Sequence, residues 1–199
     1  SFVPNAPELN LKSYILIDPN TSTVIAEYNS EGLIEPASMT KVMTAYVVAD
    51  QIKNNLISLD DKVLISERAW KMGGSKMFIE VGKKVSVEDL LMGMIVQSGN
   101  DASIALAEHV ASSEFLFVDL MNQSAAQLKM TSTSFQNATG LPDQDHYSTA
   151  YDLSLLAKAI INEFPDYYKW YSTNWNKSLN ICYKFYIVNY SSIPIKKTY

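Results

Sequence analysis

Cysteine, long apolar runs and a signal sequence are scarce or missing in this chain, and each absence excludes something. Among 199 residues there is one cysteine, Cys182, so no internal disulfide can form. No apolar run reaches the roughly 18 residues that a membrane-spanning helix requires. The chain opens on Ser1-Phe2-Val3-Pro4, without a basic region followed by an apolar one, so the sequence predicts neither a signal peptide nor a membrane anchor here.

Acidic residues and glycine are absent from the end of the chain. The first 166 residues carry 11 basic and 21 acidic side chains, whereas residues 167–199 carry five lysines, no acid and seven of the 12 tyrosines. The last glycine is Gly140. The shift in composition predicts one domain over residues 1–171 and a divergent tail over residues 172–199. The net charge of −5, with no dominant basic stripe, argues against nucleic acid as a partner.

Hydrophobic periodicity predicts a β-hairpin followed by a helix-rich region. Residues 13–18 and 23–28 read as two strands joined by a turn at residues 18–20. From Ala37 onwards apolar residues recur at three-to-four spacing, which predicts a helix with one buried stripe. Ser86 and Thr149 are good N-caps, Thr149 in a capping box with Asp152. Further predicted elements are a strand at 63–65, a loop at 72–75, helices at 87–98, 101–110, 114–128 and 150–162, a turn-rich loop at 137–145, and a β-prone segment at 181–188.

The tetrapeptide Ser-Met-Thr-Lys at residues 38–41 is a candidate nucleophile and base. A serine hydroxyl is a poor nucleophile until a base removes its proton. Three residues later on a helix, Lys41 lies on the same face as Ser38, and desolvation would favour the neutral amine that can accept this proton. Backbone N–H groups at the helix start could stabilise an oxyanion. The alternative is an ordinary surface serine and lysine on a helix, since so loose a pattern arises by chance.

A second candidate is the tripeptide Ser-Gly-Asn at residues 98–100, between two apolar helices. Ser98 could relay a proton and Asn100 could hold a substrate amide. The same residues also suit a simple helix C-cap followed by a new N-cap. His109 is expected to be a structural histidine, and His146 part of the loop architecture. The chain shows no zinc-ligand spacing.

Taken together, these segments resemble the serine penicillin-recognising enzymes, and most closely the low-molecular-weight D-alanyl-D-alanine carboxypeptidases. The resemblance is carried in order by Pro-Ala-Ser-Met-Thr-Lys-Val-Met-Thr at residues 36–44, Gly-Ser-Lys-Met-Phe at 74–78, Gln-Ser-Gly-Asn-Asp-Ala at 97–102, Gly-Leu-Pro at 140–142 and His-Tyr-Ser-Thr-Ala at 146–150. It covers residues 11–171.

The resemblance implies a fold and a chemistry. The fold would be the α/β penicillin-binding type: an antiparallel sheet with flanking helices and a helical lobe, the sheet incomplete. Ser38 would be acylated by a D-Ala-D-Ala peptide or a β-lactam, Lys41 would be the base, Ser98 the proton relay and Asn100 a substrate-orienting amide. No metal or organic cofactor is implied. The partner would be the peptidoglycan stem peptide, outside the cytoplasmic membrane, in cell-wall and cell-shape biosynthesis. The loop at residues 72–77 would rim the cleft.

One motif of that family is not found. The family carries Lys-Thr-Gly on a strand lining the cleft, and no glycine follows Gly140 here. The nearest string is Lys-Thr-Tyr at residues 197–199, which we interpret as accidental. The missing motif supports one alternative, an inactive pseudoenzyme. A second alternative from the same superfamily is a β-lactamase-like hydrolase. Gly99 argues against the latter, because an aspartate would be expected at that position.

Overall fold

The computed structural model describes residues 10–172. The β-prone segment at 181–188, Cys182 and the string at 197–199 lie outside the described residues. Within residues 10–172 there are four short strands in two antiparallel pairs, β1 (Tyr14–Ile17) with β2 (Val24–Tyr28) and β3 (Lys62–Leu64) with β4 (Lys84–Ser86). The helices are α1 (Thr40–Lys53), α2 (Glu67–Lys71), α3 (Val87–Gln97), α4 (Asn100–Ala111), α5 (Glu114–Gln127), α6 (Ala150–Glu163) and α7 (Pro165–Trp170).

The predicted hairpin is present and is closed by local polar contacts. Asp18 Oδ1 accepts a hydrogen bond of 2.8 Å from the N–H of Asn20, which fixes the turn after β1. Across the pair, the rings of Tyr14 and Tyr28 stack with centroids 6.1 Å apart. The hairpin packs against α6 through β1, so it forms one outer layer of the described domain.

Helix α1 is the centre of the hydrophobic core. Every residue from Thr40 to Ala49 is buried, polar ones included, and α1 packs against α3, α4, α5 and α6. The expectation of a single buried stripe is therefore wrong. Over residues 40–49 helices surround α1, so its apolar residues need not follow one face there.

Both predicted N-caps, Ser86 and Thr149, are confirmed. The Ser86 hydroxyl accepts from the N–H of Asp89 at 3.1 Å, and the Thr149 hydroxyl accepts from the N–H of Asp152 at 3.0 Å. A capping box also needs the Asp152 carboxylate to accept from the N–H of Thr149, and this part of the prediction is wrong. The Asp152 carboxylate instead accepts from the N–H of Ser132 and the hydroxyl of Thr133, and so ties α6 to the preceding loop.

Three short elements were not predicted: α2, α7 and β4. Each has three to six residues, too few for a hydrophobic period to be recognised. Among residues 10–172 no helix combines the length and the apolar character needed to cross a bilayer.

Candidate active site

Ser38 lies in a short 3-10 turn, Ala37–Met39, that leads directly into α1. Its side chain is exposed, as a nucleophile must be. The preceding residue, Ala37, has φ +47°, a left-handed conformation that costs a non-glycine residue on the order of 1 kcal/mol or more. Backbone strain of this kind persists only where the surroundings hold it.

The backbone N–H groups beside Ser38 are partly used within the turn. Met39 donates to the carbonyl of Pro36 at 3.0 Å, and Thr40 donates to the carbonyl of Ala37. These two groups are therefore not available to an oxyanion, contrary to the simple expectation for a helix start.

Lys41 sits one helical turn after Ser38 and is 5% exposed. Its Nζ donates to the carbonyl oxygen of Thr139 at 2.6 Å, a residue 98 positions later in the sequence. Desolvation by burial lowers the pKa of Lys41 to about 8. A substantial fraction of this amine is therefore neutral near pH 8, and a neutral amine can accept a proton.

The loop at residues 137–140 holds Lys41, and Asn137 organises that loop. Asn137 Oδ1 accepts from the N–H of Gly140 at 2.7 Å and from the hydroxyl of Thr139 at 3.0 Å. The Ala138 carbonyl accepts from the hydroxyl of Thr44 on α1 at 2.8 Å. The carbonyls of Ala138 and Thr139, which accept bonds from α1, therefore lie in a loop whose backbone Asn137 holds in place.

The buried carboxylate of Glu114 holds the same loop from α5. Its Oε1 accepts from the N–H of Ala138 at 2.9 Å, and its Oε2 is paired with Arg68 on α2. A charge-assisted bond of this kind is stronger than a neutral one, so the loop is anchored on both sides.

Gly140 touches the turn that carries the nucleophile. It has φ +80°, and a Cβ added there would overlap the carbonyl of Ala37. Glycine is required on both counts, since an L side chain is strained at this φ and has no room. The close approach lets the 137–140 loop support the strained residue before Ser38.

His146 links Gln136, the residue before this loop, to Thr40 of α1. The N–H of Gln136 donates to His146 Nδ1 at 3.1 Å, so the ring proton is on Nε2. Nε2 then donates to the hydroxyl of Thr40 at 2.8 Å. Burial lowers the pKa of His146, which keeps this ring neutral. The histidine is part of the loop architecture, and that loop positions the helix turn between Ser38 and Lys41.

Ser98 and Asn100 form the turn between α3 and α4, the two helices that flank α1. Ser98 is the C-cap of α3 in a left-handed conformation, with φ +57°. Its Oγ is buried and has no hydrogen-bond partner among the described residues. A buried hydroxyl without a partner costs about 1–3 kcal/mol, so the site carries an unused polar group at this position.

Asn100 is 5% exposed and binds the loop at residues 73–79. Its backbone N–H donates to the carbonyl of Ser75 at 2.7 Å, and its Nδ2 donates to the carbonyl of Gly73 at 2.8 Å. The next residue, Asp101, accepts from the N–H groups of Met77, Phe78 and Ile79. The loop and the Ser98 turn are therefore one structural unit.

The structure thus gathers the predicted residues into two segments joined by the packing of α1 on α3 and α4. Sequence reasoning did not find Asn137, Thr139, Glu114 or Asp101. Only Asn137 left a signal, since an asparagine three residues before a glycine is typical of a turn in which the side chain caps the backbone. His109 is structural in character, its Nε2 lying 3.4 Å from Asp61 Oδ2.

Comparison with known proteins identifies the family. The family profile of peptidase S11, D-alanyl-D-alanine carboxypeptidase, matches residues 1–198. The D-alanyl-D-alanine carboxypeptidase DacC of Escherichia coli is 44% identical over 169 residues, which is 82% of this chain and 42% of that protein.

Solved structures agree. The crystal structure of the D-alanyl-D-alanine carboxypeptidase DacD from Francisella tularensis superposes with a TM-score of 0.84 at 45% identity, covering 85% of this chain and 41% of that one. Penicillin binding protein 6B from Escherichia coli superposes with a TM-score of 0.82 at 40% identity, covering 88% of this chain and 58% of that one. These matches confirm the predicted α/β penicillin-binding fold.

The chain spans 42%, 39% and 47% of the length of three of the curated relatives it matches, the carboxypeptidases DacC of Escherichia coli, DacF of Bacillus subtilis and DacD of Escherichia coli. The extent of the profile match and the identity to these relatives nonetheless establish the family. The chain belongs to the D-alanyl-D-alanine carboxypeptidase family, peptidase S11.

Proposed function

We propose that this chain supplies the nucleophile-bearing part of a serine D-alanyl-D-alanine carboxypeptidase that trims peptidoglycan stem peptides through an acyl-enzyme on Ser38. The observation that carries the proposal is the pairing of an exposed Ser38 with a buried Lys41 one helical turn later. A lysine whose pKa is lowered by burial to about 8 suits a general base.

The reaction follows from these groups. Lys41 accepts the proton of Ser38 Oγ as that oxygen attacks the carbonyl carbon between the two terminal D-alanines. An ester bond to Ser38 forms, the peptide C–N bond breaks, and a proton passes through Ser98 to the leaving nitrogen of D-alanine. Water then hydrolyses the ester and returns the proton to Ser38. The net reaction adds one water and releases one D-alanine.

The roles proposed for Ser98 and Asn100 rest on the bonding of their side chains. The Ser98 hydroxyl has no partner among the described residues, which suits a group that exchanges protons with a bound substrate. Asn100 is rigidly held through its Nδ2, so its side-chain amide has one fixed orientation in which to hold a substrate amide. β-Lactams would enter the same site as acylating inhibitors, in an extracytoplasmic or periplasmic setting.

Labelling with a fluorescent penicillin tests this proposal. We expect wild-type chain to form a covalent adduct that survives denaturation, and Ser38→Ala to form none. Because Ser38 is exposed, the variant should melt at the wild-type temperature. A Ser38→Ala variant that labels at the wild-type rate would overturn the assignment.

A second candidate is a chain that binds or is acylated without turnover. It is favoured by the absence of any glycine after Gly140, which leaves no Lys-Thr-Gly in these 199 residues. Release of D-alanine from a diacetylated tripeptide ending in D-Ala-D-Ala separates the two candidates. Labelling together with D-alanine release supports the carboxypeptidase, whereas labelling without release supports the inactive form.

A further inference from the structure

We propose that Phe78 is a specificity-determining residue whose ring contacts the apolar side chain on the acyl side of the substrate, and that Asp101 is the residue that positions it. This inference rests on the proposed function, because it concerns the substrate of the same site. Its basis is the conformation of the loop at residues 73–79, in which one aromatic residue is turned outward against its ordinary preference.

Phe78 is held in an unfavourable conformation and an unfavourable environment at once. Its backbone φ is +63°, in the left-handed region that bulky residues avoid. Its side chain is 82% exposed, the most exposed of the large apolar side chains among residues 10–172. A loop free to relax would place an aromatic ring inward, since burial of its apolar surface is favourable.

The neighbours of Phe78 are anchored inward. Ile79 is 7% exposed and belongs to the core. Met77 is half-buried and packs so closely on α3 that a Cβ added at Gly93 would overlap its sulfur. The two flanking side chains therefore fix the backbone on either side, and the ring between them is directed to solvent.

Asp101 fixes the backbone of the same three residues. It is 1% exposed, and its two carboxylate oxygens accept four backbone N–H groups, those of Met77, Phe78, Ile79 and Ala102, at 2.9–3.3 Å. Bonds to a buried carboxylate are strong, and replacing this acceptor leaves buried donors without partners. The outward placement of Phe78 is thus maintained by a dedicated set of bonds.

This loop is attached to the turn that carries Ser98 and Asn100. A Cβ added at Gly99 would lie 3.2 Å from the backbone nitrogen of Met77, so the loop runs directly over the turn. Asn100 is the residue to which the proposed function gives the substrate amide. The group attached to that amide is the acyl-side chain of the substrate. An exposed aromatic face on the loop that is bonded to Asn100 favours apolar or aromatic groups there.

Two penicillins that differ only in the acyl side chain test the proposal. The probes are benzylpenicillin, with a phenylacetyl group, and the same nucleus with an acetyl group. We expect the ratio of their second-order acylation rate constants to fall about fivefold in Phe78→Ala and to be retained in Phe78→Tyr. Phe115→Ala is the matched control, because Phe115 is 76% exposed on α5 and lies outside both catalytic segments.

The role of Asp101 is tested through the same ratio. We expect the ratio of the two acylation rate constants to fall in folded Asp101→Asn, as it does in Phe78→Ala. In the double variant the ratio should fall no further than in Phe78→Ala alone. A merely structural aspartate would reduce both rate constants equally and leave the ratio unchanged. A ratio at the wild-type value in folded Asp101→Asn overturns the positioning role.

Non-covalent binding separates this inference from the proposed function. In a Ser38→Ala background, the dissociation constants of both penicillins are measured by ligand-observed NMR, with and without Phe78→Ala. A preference for the phenylacetyl group that disappears with Phe78→Ala supports the inference even where the wild-type chain is not acylated. An unchanged ratio in both measurements, equal to that of the Phe115→Ala control, overturns it and leaves the acylation result standing.

Discussion

The two segments of the candidate site differ in how completely their polar groups are satisfied. At the start of α1, Lys41 is bonded to Thr139 and the neighbouring Thr40 to His146. At the α3–α4 turn, Asn100 is bonded to its loop, but the Ser98 hydroxyl is buried without a partner among the described residues. The first segment is preorganised by protein contacts, whereas the second retains one hydroxyl without a partner among the described residues.

The two segments should therefore respond differently when a polar group is removed. Removing a satisfied group from the α1 segment should lower both stability and activity, because a partner is left unbonded. Removing the Ser98 hydroxyl should lower activity and raise stability. A pair of opposite stability effects at two proposed catalytic residues is a specific consequence of this geometry.

The largest effect is expected for Lys41→Met. Loss of the base should reduce penicillin acylation by about a thousandfold, within the usual range for general-base catalysis. Methionine has a similar length, so the fold should be retained, but the Thr139 carbonyl loses its donor and the free energy of unfolding should fall. Stopped-flow or gel-based labelling measures the rate, and Lys53→Met, on the same helix with an exposed side chain, is the control. Wild-type labelling by Lys41→Met would exclude Lys41 as the base.

Ser98→Ala should follow, with a loss of about a hundredfold in acylation rate. The variant removes a buried unsatisfied hydroxyl, so its free energy of unfolding should rise by up to about 1–2 kcal/mol. Ser103→Ala is the matched control, since the Ser103 hydroxyl is also buried but donates to the carbonyl of Gly99 at 2.9 Å. Urea denaturation that destabilises both variants alike would contradict the contrast between the segments.

Gly140→Ala should reduce acylation by about tenfold or more and destabilise the chain by about 2–3 kcal/mol, because the new Cβ meets the carbonyl of Ala37 beside Ser38. Gly82→Ala separates the two causes. Gly82 has φ +76° but open space around it, so it carries the backbone strain alone. Equal losses of activity in the two variants would mean that support of the Ser38 turn is not involved.

A tenfold change per pH unit is expected on the acidic side of the rate profile. The neutral Lys41 amine is the reactive form and its pKa is lowered to about 8, so the fraction of reactive enzyme rises as pH increases to about 8 and then levels off. Acylation rate constants measured from pH 6 to pH 10 report this pKa. A profile that is flat from pH 6 upward would show that no group with this pKa controls acylation.

Local features of the fold were predictable from the sequence. Ser86 and Thr149 mark helix starts because a capping hydroxyl acts within three residues, and the hairpin is visible because its turn and alternation are local. The single buried stripe expected for α1 was wrong, because only the complete fold shows that helices surround it. Short elements such as α2 fall below the length at which periodicity is informative.

The candidate residues were predictable as a resemblance, but their partners were not. Lys41 meets Thr139 across 98 residues and Thr40 meets His146 across 106, and no local pattern specifies such pairs. The strained φ of Ala37 and the missing partner of Ser98 are likewise properties of the assembled structure. The division at residue 171 stays a prediction, since residues 173–199 lie outside the described part of the chain.

Mass spectrometry of the chain after incubation with benzylpenicillin tests the central assignment most directly. We expect the intact mass to rise by one antibiotic molecule, and proteolytic mapping to place the adduct on Ser38. Lys41→Met should slow the appearance of the adduct without moving it to another residue. An adduct on any other side chain, or an unmodified Ser38 after prolonged incubation above pH 8, would contradict the assignment.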